Sequence, residues 1–370
     1  MLMRRLSLPA IMASTLWAGS AFAQAVPACQ TEVLKIGRTG YTHVDPAIVR
    51  GPDLSEIAAS AGADGDAKRA EKLAEAARNG DPRAQAALGL LHERGLDVEQ
   101  DYGEAARWYR EAAAQGLPFA EAALADLFAE GLGVPPYRSE AVKLWARAAQ
   151  AGVERAGVNL AISLKFGLGT ARDIAGARCL LTFYAERGNT TAQAYLGDLL
   201  ADPGAGEPDI AAALRWYKAA SVAGNAMATY NLAVLLRSAK LPEQQQGEVI
   251  DLLHAAADRG VPEAAAALGF LHLEGKVVAL DFAAALRWSR LAAQQKSSEA
   301  MVNLGLIHER GLGVRKDLSV AFMWFDLAAG LGSADGRSNL DRIIPTMSEK
   351  QIAKGRNASA ACRAAEYGEC

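Results

Sequence analysis

The chain has 370 residues, with 39 lysines and arginines against 42 aspartates and glutamates, a net charge of −3 with histidine neutral. That balance offers no electrostatic footprint for nucleic acid or an anionic membrane. Length alone would suit two or three domains, but the spacing of the small residues sets that count aside.

At the N-terminus Arg4 and Arg5 precede an uncharged run from Leu6 to Ala18, and Ala21-Phe22-Ala23 has the small-x-small pattern of a cleavage site. Residues 1–23 are read as a secretory signal peptide, cut before Gln24. A retained anchor is the alternative, disfavoured by Pro9 and the small residues. Val26-Pro27-Ala28 is a poor lipobox for Cys29, and the paired arginines lack the flanking residues of a twin-arginine signal. Cleavage removes two arginines and leaves 37 basic against 42 acidic residues, a net charge of about −5. No later uncharged stretch is long enough to cross a bilayer. The mature chain is therefore expected to be exported, periplasmic or secreted, with no membrane insertion. Residues 24–65 carry no repeat signal, and Pro46, Pro52, Gly62 and Gly65 suit a partly ordered arm with one short helix over 54–60.

From Asp66 onward the chain is periodic. Residues 66–80 fit a single amphipathic helix that caps the array. Ala84, Ala120, Ala156, Ala192, Ala228, Ala264 and Ala300 then recur every 36 residues, and a leucine follows each by four places, from Leu88 to Leu304, with Leu340 one period further on. The place after the leucine is glycine or alanine in each of the seven units (Gly89, Ala125, Ala161, Gly197, Ala233, Gly269, Gly305), so a second helix can approach closely there. A glycine seven places after the leucine (Gly95, Gly131, Gly167, Gly275, Gly311) ends this first helix, because glycine tolerates the left-handed conformation. A second amphipathic stretch starts at Ala105, Ala141, Ala177, Ala213, Ala285 and Ala321, with Trp108, Trp216, Trp288 or Trp324 three places on. A closing glycine column, Gly80 to Gly332, is broken only by Lys296. In the fourth and fifth units Pro203 and Ala239 replace the turn glycine, so 202–208 and 238–248 are expected to be irregular loops. After Leu340, Ser348 with Gln351 three places later marks the N-terminus of a last helix, and residues 345–370 are read as a C-terminal cap.

A fixed period of this length is the mark of a solenoid. The Ala-x-x-x-Leu-Gly pattern, the Gly-x-Gly-Val turns at 131–134 and 311–314, the Ala-x-x-Trp pairs and the closing Ala-Ala-x-x-Gly resemble the Sel-1-like repeat (SLR) family, relatives of the tetratricopeptide repeats. The Met-Ser-x-x-Gln-Ile-Ala segment at 347–353 is similar to the terminal helix of many bacterial SLR proteins. The resemblance covers about residues 66–340 and implies an all-α, right-handed α-solenoid of about seven 36-residue helix-turn-helix repeats, with caps at both ends of a 66–344 array. It also implies a binding role more than a catalytic one.

Four cysteines remain after signal cleavage, an even number that favours disulfides in an exported chain. Cys362 and Cys370 are the favoured pair because they are local, and their spacing is similar to the clamps within secreted cysteine-rich SLR proteins. Cys179 occupies a column held elsewhere by Arg107, Lys143, Arg215 and Arg287, so it is expected near the surface, where Cys29 could reach it if the arm folds back. A free thiol is the alternative there.

Little in the sequence points to chemistry. His92, His272 and His308 share a column with Phe128, Leu164, Leu200 and Leu236, which argues for packing over metal binding. His-Glu-Arg-Gly at 92–95 and 308–311 lacks a second histidine four places on and is not a zinc motif. There is no Gly-x-Ser-x-Gly, Ser-x-x-Lys or phosphate-binding glycine loop. No catalytic residue, metal or cofactor is expected.

The remaining candidate is the concave surface lined by the first helices. The residue before the column leucine is Asn159, Asn231, Asn303 or Asn339, and Tyr195 in another unit. Amides spaced along a groove can pair with an extended peptide backbone, as an asparagine at the matching place often does in tetratricopeptide domains. The alternative is that each bonds within the array. Phe166, Tyr230 and Phe270, with Phe119 and Met227, lie on the same side as apolar anchors. The leading expectation is an exported adaptor, scaffold or regulator that binds another protein or a peptide segment, with an envelope sensor or assembly complex among the partners the resemblance implies. A cell-wall or β-lactam-directed hydrolase of the cysteine-rich SLR type is the second reading, against which the missing signature motifs count.

Overall fold

The computed structural model describes Cys29, residues 67–238, 246–368 and Cys370. The expected signal segment and, apart from Cys29, the arm before Asp66 lie outside the described residues. Among the described residues all regular structure is helical, and it falls into two compact units that divide between Pro208 and Asp209. The first contains α1 (Ala67–Arg78), α2 (Pro82–Arg94), α3 (Tyr102–Ala114), α4 (Pro118–Glu130), α5 (Arg138–Gln150), α6 (Glu154–Phe166), α7 (Ile174–Ala185) and α8 (Thr190–Ala201). The second contains α9 (Ile210–Val222), α10 (Ala226–Ser238), α11 (Gln246–Asp258), α12 (Pro262–Glu274), α13 (Phe282–Gln294), α14 (Ser298–Arg310), α15 (Leu318–Gly330), α16 (Ala334–Ile343) and α17 (Glu349–Ala364). Even-numbered helices are the first helix of each repeat and odd-numbered ones the second, until α17 caps the end.

Many of the helices start where a polar side chain satisfies their free N–H groups, although α4, α5, α6 and α12 begin without a side-chain cap. Asp101, Asp173, Asp209, Asp281 and Asp317 cap the second helices at the repeat period, accepting for example from Gly103 N at 2.8 Å and Gly176 N at 2.8 Å. The first helices end in left-handed residues at Gly95, Gly131, Gly167, Gly275 and Gly311. The second glycine of the Gly-x-Gly turn has a further reason to be glycine. At Gly133 a Cβ would land on the peptide joining Tyr102 to Gly103, the start of α3 in the preceding repeat. Lys296, the exception in the closing column, adopts the same left-handed backbone with φ 64°.

Packing follows the columns, with one refinement. The tryptophans at 108 and 324 are buried, but the residue one place on from each, Tyr109 and Phe325, is completely so. It faces the small residue after the column leucine, as Tyr109 does Gly89 and Phe325 does Gly305. A buried polar column links neighbouring repeats. Gln85 Nε2 donates to Ala77 O at 3.1 Å and Gln193 Nε2 to Ala185 O at 3.1 Å, each satisfying a carbonyl at the end of the preceding second helix. Glu121 takes the same place in α4 and is bound by Arg147 of α5, whose Nε lies 2.9 Å from Oε1.

Two loops differ from expectation. Pro203–Ala205 forms a 3-10 turn capped by Asp202. The segment expected to be irregular over 238–248 is shorter, because Ser238 completes α10 and α11 already begins at Gln246, with 239–245 outside the described residues.

The end of the array is closed as a solenoid requires. Ser348 and Gln351 form the reciprocal capping box at the start of α17. Gly355 of α17 sits against α15, where a Cβ would lie 2.7 Å from the Phe322 ring. Cys362 is bonded to Cys370 with Cα atoms 5.3 Å apart, folding the tail so that Tyr367 packs on the second unit's core. In the first unit Cys29 is bonded to Cys179 of α7, Cα atoms 5.6 Å apart, and Cys29 is buried.

Candidate protein-binding groove

In the second unit the exposed faces of α10, α12, α14 and α16 line a groove with a volume of about 710 Å³. These are consecutive first helices, so side chains at one repeat position stand side by side across it. One row is Tyr230, Ala266 and Val302, another Ala267, Asn303 and Asn339, and a third Phe270 and Leu306. Phe270 is 42% exposed, a large apolar surface left open in the groove. Glu263, Glu299 and Asp335 form a fourth row in the first turns of α12, α14 and α16, with Arg237 of α10 as the lining cation. The Tyr230 hydroxyl is pushed above its usual range by burial and by the neighbouring carboxylates of Glu263 and Glu299.

The structure thus brings four sequence-identified residues, Tyr230, Phe270, Asn303 and Asn339, into one groove. Phe166 and Tyr195 meet in the first unit, edge to face with ring centroids 6.3 Å apart, and Phe166 is half exposed. The Lys165 ammonium sits 4.8 Å from the Phe166 ring and 5.3 Å from that of Tyr195. Burial pushes that lysine below its usual range, and Asp198, 3.5 Å away, opposes the shift. Phe119 packs edge to face on Tyr109, and Met227 stays exposed on α10.

Three residues of the asparagine column bond within the array, in two different ways. Asn159 Nδ2 donates to Asp126 Oδ1 at 2.9 Å, and Asn303 Nδ2 to Ala266 O at 3.2 Å, each tying a first helix to the one before it. Asn339 Nδ2 donates to Asp335 O within α16 at 2.8 Å, while its Oδ1 accepts from Arg342. Asn231 is half-buried on α10 and does not line the groove. The walls available to a ligand are therefore set more by Phe270, Val302 and the carboxylate row than by the amides. The carboxylate row has the 36-residue spacing of the leucines and was visible in the sequence as the place after Pro262, Ser298 and Ala334, the first residues of their helices.

Among the described residues no cluster of three or more histidine, cysteine or acidic side chains is placed to hold a metal, and no helix is long and apolar enough to cross a membrane. The histidine column is partly buried, and burial lowers the pKa of His308.

The Sel1 repeat model matches at 82–117, 118–153, 190–225, 262–297 and 298–333. The intervening periods keep the same helix pair, as α6–α7 and α10–α11. Among solved structures, a Sel1 repeat protein from Oxalobacter formigenes is 26% identical, with 90% of each chain covered and a TM-score of 0.59. A protective antigen of uropathogenic Escherichia coli displaying an SLR fold is also 26% identical, over 93% of this chain and 78% of that one, with a TM-score of 0.48. An immunity protein from Pseudomonas aeruginosa is 21% identical, over 58% of this chain and 80% of that one, with a TM-score of 0.39. No curated protein matches the chain. Sel1 repeat proteins generally mediate protein–protein interaction. With five matched repeats and an all-helical array of helix pairs, this chain is a Sel1-like repeat protein.

Proposed function

We propose that this chain is an exported scaffold or regulator that holds a segment of another protein in the groove across α10, α12, α14 and α16. The carrying observation is the groove itself: four successive helices present a shared apolar surface with Phe270 open and polar groups around it. Surfaces of this kind bind by complementarity rather than by reaction. Export is supported by the signal pattern at residues 1–23 and by the Cys29–Cys179 and Cys362–Cys370 bonds, which suit an oxidising compartment.

The test is crosslinking of the mature protein in its native envelope, with the wild type beside a Phe270→Asp, Val302→Asp variant. The reading expects a periplasmic or secreted product starting at Gln24, and one protein captured by the wild type and lost by the variant. Capture unaffected by the variant would move the site elsewhere. Turnover of a chromogenic β-lactam with no protein captured would replace the scaffold by an enzyme.

A further inference from the structure

The groove is predominantly acidic, with three carboxylates against one lining cation, Arg237, among the described residues. Glu263, Glu299 and Asp335 stand one repeat apart on α12, α14 and α16, whereas the same column in the first unit holds Arg83, Phe119, Arg155 and Thr191. Among the described residues none of these three carboxylates is in an ion pair, although Glu309 and Asp326 nearby in sequence are paired with Arg342 and Arg363. Glu299 accepts only from Ser297 Oγ, at 3.2 Å. Oε2 of Glu263 is shielded from solvent and has no hydrogen-bond partner. A shielded carboxylate oxygen without a donor is unfavourable until one arrives. Beside the row of acids the groove is lined by Ala266, Val302, Leu306 and Phe270, a surface for an apolar side chain.

The repeat also sets a length scale. Neighbouring packed helices lie about 10 Å apart, and an extended chain in the polyproline II conformation advances about 3.1 Å per residue and brings every third side chain to the same face. One step along the carboxylate row therefore corresponds to about three residues of an extended segment laid across the helices.

From the unpaired carboxylate row and the apolar surface beside it, we propose that the groove takes an extended polypeptide segment in the polyproline II conformation carrying lysine or arginine at about three-residue intervals, with an apolar side chain between them. The basic side chains meet Glu263, Glu299 and Asp335, and the apolar one packs on Phe270 and Val302. This rests on the groove being the partner site. Acidic segments are excluded by the same row, and charge selects the partner as much as contact area does.

The experiment is selection of short random peptides displayed on phage against the full mature chain, followed by binding of the selected peptides to wild type and to the triple variant Glu263→Gln, Glu299→Gln, Asp335→Asn. The expected result is enrichment of basic residues at three-residue spacing, affinity that falls with added salt, and roughly tenfold weaker binding to the triple variant. Replacing the peptide's own basic residues by glutamine must weaken binding to wild type similarly, a measurement that does not depend on how the variant folds. Enriched peptides that are neutral or acidic, yet lose binding with Phe270→Asp, would overturn the charge proposal and leave the groove reading intact. Peptides indifferent to both sets of substitutions, or no enrichment, would overturn both.

Discussion

Two glycines in one turn have the same backbone conformation and different surroundings, which makes them a test of what holds one repeat to the next. Gly131 has φ 73° and Gly133 φ 65°. A Cβ at Gly131 meets the Pro136 ring, nearest at Cδ, 3.3 Å, whereas at Gly133 it collides with the Tyr102–Gly103 peptide of the preceding repeat. Gly131→Ala therefore carries the left-handed penalty alone, about 1–2 kcal/mol, partly offset by the stiffer unfolded chain. Gly133→Ala adds an overpacking cost of about 1–3 kcal/mol, because the obstacle is backbone that yields only if α3 shifts against the turn. The expected difference between the two variants is thus about 1–3 kcal/mol, read from urea unfolding of the first unit. Asp97, with φ 59° at the matching place in the first repeat, shows that the left-handed conformation is itself available to a residue other than glycine. Equal destabilisation by the two alanines would refute the argument that Gly133 is required by the inter-repeat contact.

Three further predictions concern the array. Leu232→Ala should cost about 2–5 kcal/mol as a buried large-to-small change, with hydrogen exchange accelerating mainly in α9 to α12; uniform loss throughout the second unit would contradict nearest-neighbour stacking. Glu121→Gln should be tolerated within about 1 kcal/mol, since glutamine fills this column at Gln85 and Gln193, whereas Arg147→Ala leaves a buried carboxylate and should cost about 3–5 kcal/mol. The double variant should recover most of that loss in thermal melts. Glu309 is held below the usual carboxylate range by the Arg342 guanidinium, against the effect of burial. Its contribution is present above the unfolded glutamate value of about 4.3 and is lost as pH falls through its lower folded value. Glu309→Gln should therefore flatten stability against pH below about 4 and leave that slope unchanged near neutrality.

Much of this fold was legible because a repeat reports the same packing problem several times. The alanine and leucine columns, the turn glycines and the helix that starts at Ser348 all follow from residues that have few substitutes at those backbone and packing positions. The aspartate caps before the second helices recur at the same period and were equally readable, as was the column of Tyr109 and Phe325, which the more conspicuous tryptophans beside it obscured. The segment before α11 is shorter than the missing turn glycine suggests, because Gln246 onward has helical pattern enough to begin without it. The groove was only half visible. Phe270 and Tyr230 could be placed on the first helices, but whether Asn303 faces a ligand or Ala266 O depends on the offset between adjacent helices, which periodicity does not contain.

Recognition is assigned to the first helices of the second unit. A photoreactive amino acid placed at Phe270 or at Leu291, both substantially exposed but on α12 and α13 respectively, tests it directly in the native envelope. A partner held by the first helices gives one protein crosslinked from Phe270 and none from Leu291; capture from Leu291 with silence at Phe270 would place recognition on the second helices instead.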